Sequence, residues 1–394
     1  MELTDLYEHL RRGGAATLNH PARYAVAEGA VIAPARYAGP PGPQGRRVSE
    51  FVFETRHVDG AFRRTVLIDS KQSQANRAEE GLLAARREGD GAARIPVIEV
   101  EYPGRVPLSD LELPHRAVDA HIRFATQDGE PVVKRAWYRT LREATHADLS
   151  SVFVTAPAML AFGGWDSTRR SGQLRLRGLL VSELFGIVDE REDRLSRRSG
   201  ARLDPLGQGF YVTPDELARL TDLQRDYISP KLAEKLDKEV AAAVKKKQSA
   251  ISASELNLGG IPPSTEAPFG VSVPEVRRAR TFSLAGLRRL RFGGSVDEDV
   301  LARAALLAML LLGVAHGDAD PDLRAYCDVS APVSRMLLDD TEVALDTSID
   351  ACAAFLGEAI SRLPERLAWT GQVQRLDGDP AIGRGAQDAD ADEA

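Results

Sequence analysis

The chain has 394 residues, a formal net charge of −7 and two cysteines. Two cysteines cannot form the disulfide framework of a small secreted domain, and the sequence holds no Cys-x-x-Cys pair for a zinc site. Acidic residues follow the first methionine where a signal peptide would carry basic ones. The most apolar stretch, 300–315, is shorter than the ~20 residues of a membrane span. We therefore expect a soluble cytoplasmic protein with no membrane partner, and the sequence indicates no metal or cofactor.

Much of the negative charge lies at the C-terminus. Residues 377–394 carry six acidic side chains against Arg384 alone, which accounts for −5 of the total charge. An acidic segment of low complexity is typical of disorder, so we predict a disordered acidic tail over residues 366–394. The rest of the chain is nearly neutral, and basic clusters within it can still form a positive surface.

The N-terminal part of the chain alternates predicted helices and strands. A loop is predicted over 38–47, which is rich in Gly and Pro, and residues 116–124 fit either a strand or a helix. Helices are predicted over residues 2–12, 71–87 and 135–146, and strands over 49–56, 64–68, 95–102 and 151–155. This mixed order indicates an α/β or an α+β fold, of which α+β is the simpler interpretation, and not a helical bundle or a β-sandwich.

The middle of the chain differs in composition. Residues 163–210 are rich in Gly, Arg, Ser and Asp around the apolar run 179–188, residues 213–247 are helical, and 252–274 is a loop or linker. A final block is predicted as strand 280–284, helix 297–314, strand 323–329 and helix 348–362. We therefore predict one core made from residues 1–160 and 276–365, with residues 161–275 inserted between its two parts.

The first segment with possible chemistry, residues 69–77, lies where a strand becomes a helix. Free backbone N–H groups and the helix dipole make such a junction an anion site. The side chains that could contact phosphates, riboses or base edges are Ser70, Lys71, Gln74, Asn76 and Arg77. The alternative interpretation is that Asp69 or Ser70 only caps the helix.

Two further segments carry polar or aromatic clusters. His115, Arg116 and Asp119 lie close together, which fits either acid–base chemistry or a structural salt-bridge cluster. Residues 162–172 place glycines around Trp165 and then the basic pair Arg169 and Arg170. A loop of this kind can follow a phosphate backbone while its tryptophan stacks on a base, or it can be a surface turn whose tryptophan packs on the core.

Basic residues are also concentrated in residues 275–292, with a net charge of +5, and at 245–247, which is Lys-Lys-Lys. Such runs usually mark solvated faces, but beside Gly-rich loops they favour an acidic polymer as partner. The sequence contains no Gly-x-Ser-x-Gly, His-Glu-x-x-His, Gly-x-Gly-x-x-Gly or P-loop motif.

Three of these segments, in this order, resemble one family. Asp69-Ser70-x-x-Ser-Gln-Ala-Asn-Arg-x-Glu, Pro114-His115-Arg116-x-x-Asp-Ala and Gly164-Trp165-Asp166-Ser167 are similar to the backbone subunit of the type I-U (also called I-G) CRISPR Cascade complex. That subunit is a Cas-seven-type member of the RAMP superfamily. The resemblance spans roughly residues 20–360.

The resemblance implies a ferredoxin-like, RRM-related core, called the palm, with inserted finger and thumb segments. It implies that copies of the chain polymerise along the CRISPR RNA and present it for pairing with target DNA in antiviral defence. The other implied partners are further Cascade subunits and, transiently, an effector nuclease-helicase.

The resemblance also implies RNA-binding roles for particular residues and no catalytic centre. The palm would hold phosphates or riboses through Lys71, Gln74, Asn76 and Arg77, beside Ser70. A loop would add Arg169 and Arg170, with Trp165 wedging or stacking. His115 and Arg116 are further candidates.

Two other functions stay open at this point. A metal-independent endonuclease that processes the guide RNA would use His115 or His121 as its acid or base. A protein-only scaffold would dock a partner through the apolar helix 300–314.

Overall fold

The computed structural model describes residues 1–27, 31–41, 47–89, 91–169, 174–188, 196–197, 204–206, 209–261, 268–324 and 326–383. The chain divides into two compact units, residues 1–193 with 271–380 and residues 194–270 with the chain from 381. The described residues form five helices of eleven residues or more: Lys71–Glu88 (α1), Pro214–Gln224 (α2), Pro230–Lys245 (α3), Val296–Ala319 (α4) and Ile349–Ser361 (α5).

The first unit is built on a central antiparallel sheet. Its strands are Thr17–Asn19 (β1), Ala22–Tyr24 (β2), Phe53–Val58 (β3), Ala61–Asp69 (β4), Leu180–Ile187 (β5), Glu275–Ser283 (β6), Val333–Ser334 (β7), Met336–Leu338 (β8) and Thr341–Val343 (β9). The order is β9-β8-β1-β6-β5-β4-β3, and β2 pairs with β6 and β7. Because β1 and β2 pair with successive parts of β6, they form one strand interrupted at His20 and Pro21. This antiparallel sheet, together with the five helices, confirms the α+β class.

Helices α1, α4 and α5 form the layer that packs with this sheet. Helix α4 contacts both α1 and α5, and α1 contacts β5. Residues 304–312 of α4 are buried on every side, which is typical of a helix inside a core. By length and composition α4 could cross a membrane, but 83% of its apolar window is buried inside the protein. The predicted helix 297–314 therefore exists, is longer than expected and serves as the core helix.

Helices α1 and α4 approach each other through glycines. A Cβ atom on Gly313 of α4 would clash with the carbonyl oxygen of Ala78 and lie 2.9 Å from Cγ of Leu82, both on α1. We expect Gly313→Ala to lower the free energy of unfolding by about 1–3 kcal/mol, the usual cost of overpacking. Chemical denaturation measures this change.

The matched control is Gly357→Ala in α5. Apart from the adjacent residues and backbone of its own helix, no described atom lies within 4 Å of the position that a Cβ atom would take at Gly357, so the substitution meets open space. Alanine favours a helix over glycine by about 1 kcal/mol, so this variant should be equal to or more stable than the wild type. A destabilised Gly357→Ala beside an unchanged Gly313→Ala would contradict the close crossing.

A second, smaller sheet corrects the predicted start of the tail. It contains the strands Val97–Glu101, Leu108–Ser109, Thr126–Gln127, Glu130–Pro131 and Val373–Asp377. The last strand pairs in parallel with the first, Val373 beside Val97, and Leu376 is buried. Residues 366–383 are therefore ordered, and of the predicted tail only residues 384–394 lie outside the described residues. The composition of residues 366–394 did not reveal this strand, because five residues change the composition of the segment very little.

The second unit contains a helical hairpin. Thr213 and Ser229 cap α2 and α3 with their hydroxyl groups, and Pro214 and Pro230 occupy the first helical positions. Leu217, Leu236 and Ala253 form its small buried core, beside the short strands Tyr211–Val212 and Ile251–Ser252. The predicted helical stretch 213–247 is thus confirmed as two helices. The predicted insertion 161–275 starts too early, because the apolar run 179–188 inside it forms the core strand β5.

Two strand predictions are wrong. Residues 151–155 lie in the helix Ser150–Thr155, which begins where the Asp148 carboxylate accepts the Ser150 N–H at 2.9 Å. Residues 323–329 form no named strand in their described part, and Tyr326 has a φ of 60°, which no strand allows.

The predicted helix 135–146 is confirmed as Ala136–Glu143, and residues 2–12 as a 3₁₀ turn Leu3–Asp5 followed by Leu6–His9. Other described elements are the helices Ala120–Arg123, Ala158–Ala161 and Leu284–Leu287 and the hairpin Arg36–Pro41 with Arg47–Phe51.

Candidate nucleic-acid interface

The motif at residues 69–79 folds into a buried polar network. Asp69 ends β4 with its side chain fully buried, and its carboxylate accepts hydrogen bonds from Gln74 Nε2 at 2.7 Å and Arg77 Nε at 2.9 Å. Arg324 donates to the carbonyl oxygen of Ile68 at 2.7 Å and lies 3.5 Å from Asp69. The network therefore ties the start of α1 to the sheet and to the chain after α4.

The predicted contact residues of this motif separate into buried and exposed groups. Ser70 caps α1, its Oγ accepting the Ser73 N–H at 3.2 Å. Gln74 is buried and also accepts from Ser182, while Arg77 donates to the carbonyl oxygens of Asp322 and Leu323. These contacts give Gln74 and Arg77 structural roles inside the fold, and their predicted contacts with RNA stay predictions.

Lys71 and Asn76 are the exposed members of the motif. The Lys71 side chain is 59% exposed and its Nζ lies 3.9 Å from Glu183, a distance that leaves it largely hydrated. Asn76 is exposed on the same helix. Their predicted contacts with RNA stay predictions.

Arg116 closes the same motif from another part of the chain. Its guanidinium binds both carboxylate oxygens of Glu79, at 2.6 and 2.8 Å, and donates to the Gly163 carbonyl at 3.0 Å. Burial raises the pKa of Glu79, and the bound guanidinium of Arg116 opposes that rise. Arg116 therefore stabilises the fold and links the motif to Gly163, two residues before Trp165. His115 is exposed, and its backbone N–H donates to Asp119 at 3.1 Å.

His121 is the second histidine that the endonuclease alternative requires. Its Nδ1 atom lies 2.7 Å from the hydroxyl of Tyr102, and the two rings meet edge to face. One ring nitrogen is thus already hydrogen-bonded to a buried tyrosine. In the described part of the chain, no three His, Cys, Asp or Glu side chains are placed to bind a metal.

Trp165 lies on an exposed hairpin, as the loop prediction allowed. Gly164–Trp165 pairs with Arg175–Leu176, and the tryptophan side chain is 46% exposed. The guanidinium carbon of Arg175 lies 4.1 Å from the centre of the Trp165 ring. A stacked guanidinium keeps its N–H groups available at the ring edge, and stacked Arg and Trp are groups that bind phosphates and bases.

Asp166 fixes the loop that follows Trp165. The Asp166 side chain is 6% exposed and accepts from Arg142 at 2.5 and 2.8 Å and from the Thr168 hydroxyl at 2.6 Å. Burial alone would raise the pKa of Asp166, but these hydrogen bonds and the Arg142 charge hold it below its ordinary value. Arg169 donates to the Arg142 carbonyl, so this predicted contact residue also supports the loop. Arg170 lies outside the described residues.

Arg175 and Arg177 are candidate contacts that the sequence interpretation missed. Both are exposed, whereas Leu174 and Leu176, which alternate with them, are buried. The alternation Leu-Arg-Leu-Arg is a strand signal that places both arginines on the same face. Arg177 also donates to the Ser283 hydroxyl at 2.9 Å, next to the end of β6. We call Trp165, Arg175 and Arg177 the Trp165 surface.

Most arginines of the predicted basic stretch 275–292 form ion pairs or hydrogen bonds with other residues of the chain. Arg277 pairs with Asp59 and Glu275, Arg278 and Arg280 pair with Asp318, and Arg288 donates to the carbonyls of His9 and Ala15. Arg289 is exposed, as are the lysines at 245–247 in the second unit. The stretch therefore provides much less positive surface than its composition predicts.

These features define a mixed α+β protein with an exposed tryptophan–arginine surface suited to nucleic acid. Residues 18–190 match the model of a CRISPR-associated protein family, described as CRISPR-associated protein GSU0053. No curated protein matches the chain significantly. The match covers a little less than half of the chain, including all three motifs, and confirms the predicted resemblance over these residues. It supports a role in CRISPR defence.

Proposed function

We propose that the chain is a CRISPR RNA-binding backbone subunit of a type I-U/I-G Cascade complex. It polymerises along the guide in the cytoplasm, has no catalytic centre, and assembles with further Cascade subunits and an effector nuclease-helicase. The Trp165 surface carries this proposal, because an exposed tryptophan stacked by an arginine suits a single-stranded nucleic acid. The match to a CRISPR-associated family over residues 18–190 supports it.

The topology supports a ferredoxin-like palm as its core. In chain order, β1, α1, β5, β6, α4 and β8 give strand-helix-strand, strand-helix-strand, and β1 and β6 are neighbours in the sheet. This order resembles the split βαβ arrangement of ferredoxin-like proteins, which supports the proposed palm. The hairpin of β3 and β4 extends that sheet, and the unit 194–270 supplies the main inserted segment.

The apolar helix that the scaffold alternative requires is not a docking surface. Residues 304–312 are buried in the protein's own core. An RNA-independent scaffold would need a different contact surface, whereas the Trp165 surface is already exposed.

The test is binding of a fluorescent repeat–spacer RNA at several salt concentrations. We expect Trp165→Ala to weaken binding about tenfold or more, because stacking on one base contributes about 1–3 kcal/mol. Arg175→Gln should also lower the steepness of the salt dependence by about one phosphate contact. Thermal unfolding should show both variants folded.

Matched controls separate this surface from general effects. Tyr227→Ala removes an aromatic side chain that is 86% exposed in the second unit, and Arg375→Gln removes an exposed arginine that lies near Glu99 and Glu101. Both should leave RNA affinity within about twofold of the wild type. Equal losses in the controls and in Trp165→Ala would contradict the assignment of the Trp165 surface. A protein that purifies as a monomer without RNA and does not bind added guide RNA at low salt would contradict the backbone role.

A further inference from the structure

Two buried arginines on β6 share a single carboxylate. The side chains of Arg278 and Arg280 are 1% and 4% exposed, and each donates to Asp318 of α4 at 2.6 Å. Their remaining side-chain acceptors are neutral: the Tyr24 hydroxyl lies 2.8 Å from Arg278, and the Ser182 hydroxyl lies 3.2 Å from Arg280. Two positive charges therefore face one negative charge.

The neighbouring groups do not remove this excess. Asp69, the carboxylate of the adjacent network, is already bound by Arg77 and approached by Arg324. His20 adds no positive charge, because burial and the two guanidiniums lower its pKa to about 3. The buried cluster thus keeps a net charge of +1, and a buried charge without compensation is costly.

Arg278 also has unused hydrogen-bonding capacity. Its Nη2 lies 3.3 and 3.4 Å from the two ring nitrogens of His20, so it is not directed at one lone pair. Its buried Nε has no hydrogen-bond partner in the described part of the chain. A guanidinium forms its strongest hydrogen bonds with an anionic oxygen.

A cavity of about 190 Å³ adjoins this arginine. Arg278, His20 and Asp318 line it together with the hydroxyl-bearing residues Ser334 and Thr347, and Ala315 forms part of the apolar wall. A water molecule takes about 10–15 Å³ of such space, so the cavity has room for a small ion with several waters.

We infer that this cavity binds a small multivalent anion, a phosphate group, which neutralises the excess charge of Arg278 and Arg280. The anion is either free phosphate or a phosphate of a bound nucleic acid. The inference does not depend on the Trp165 surface, which lies on other residues.

The test is titration of the purified full chain with inorganic phosphate, with sodium chloride keeping the ionic strength constant. Calorimetry should show saturable binding, and the unfolding temperature should rise with phosphate but not with the matched chloride series. Arg278→Lys keeps the charge and loses the guanidinium fork, so it should weaken phosphate binding about tenfold, the loss of one charge-assisted hydrogen bond. Arg289→Lys, the same change at an exposed position, should bind as the wild type does.

A second variant keeps the test decisive if Arg278→Lys unfolds. Ala315→Leu narrows the cavity without touching a charge and should abolish the phosphate effect. Guide RNA that displaces phosphate identifies a nucleic-acid phosphate as the occupant, and RNA that binds without displacing it identifies the free anion. Stabilisation equal to that of chloride, or phosphate binding unchanged by Ala315→Leu, would overturn the inference.

Discussion

Replacing Asp69 with asparagine should destabilise the protein by about 3–5 kcal/mol. The substitution keeps the side-chain shape but removes the charge that Arg77 and Gln74 contact inside the fold, and breaking a buried ion pair by removing one partner costs this much. Urea denaturation followed by far-UV circular dichroism measures the loss. RNA affinity of the folded variant should stay within about twofold of the wild type, because Asp69 is fully buried.

The control for this prediction lies on the same motif. Asn76 is exposed on α1, so Asn76→Ala should change the stability by less than about 0.5 kcal/mol. If Asp69→Asn were as stable as the wild type but bound RNA weakly, the motif would be an RNA contact and the buried network would not explain it.

The sequence alone did not reveal that Gln74 and Arg77 have structural partners inside the fold. Their polar side chains at a helix start are the residue types expected of a phosphate site, and the helix start itself was correctly predicted. The partners that bury Arg77 are Asp322 and Leu323, far away in the sequence. Local spacing cannot reveal a partner that tertiary folding supplies.

Arg116 and the arginines of β6 illustrate the same effect. Arg116 binds Glu79, and Arg280 binds Asp318, in each case across more than 35 residues. A count of basic residues treats these side chains as surface charge, whereas the fold neutralises them. Composition therefore predicted a larger positive surface than the protein presents.

Local pattern succeeded where the deciding interactions are themselves local. The N-cap at Ser70, the predicted strands 49–56 and 64–68, which pair in the structure, and the helical stretch 213–247 depend on neighbouring residues. The glycines beside Trp165 predicted a loop whose tryptophan is either exposed or packed on the core, and in the structure Trp165 is 46% exposed. The strand that pairs with Trp165 could be predicted from the Leu-Arg-Leu-Arg alternation at residues 174–177. Only the structure shows that Arg175 stacks on Trp165.

Asp110 gives the clearest pH dependence in the first unit. The residue is fully buried, one carboxylate oxygen accepts the Ile98 N–H at 3.1 Å, and the other has no hydrogen-bond partner among the described residues. Burial raises the pKa of Asp110 to about 7, with the Glu79 charge adding to the rise and Arg86 and Arg116 opposing it.

This raised pKa makes Asp110 destabilising at alkaline pH. Between about pH 4 and pH 7 the folded protein keeps a proton on Asp110 that the unfolded chain has lost, so stability falls as pH rises. Over that window the stability of the wild type relative to Asp110→Asn should fall by about 4 kcal/mol, at about 1.4 kcal/mol per pH unit. Urea denaturation of both proteins at pH 4.5, 6 and 8 measures the change.

The comparison uses the difference between the two proteins, because other groups titrate in both. Asp128→Asn provides the control: its carboxylate is 80% exposed, so its stability difference from the wild type should stay nearly constant with pH. A constant difference for Asp110→Asn as well would mean that water or a cation reaches the Asp110 carboxylate. Because Asp110 directly follows the strand Leu108–Ser109 of the small sheet and Arg116 connects its surroundings to Gly163, its ionisation should also raise hydrogen exchange along this connection towards the Trp165 surface.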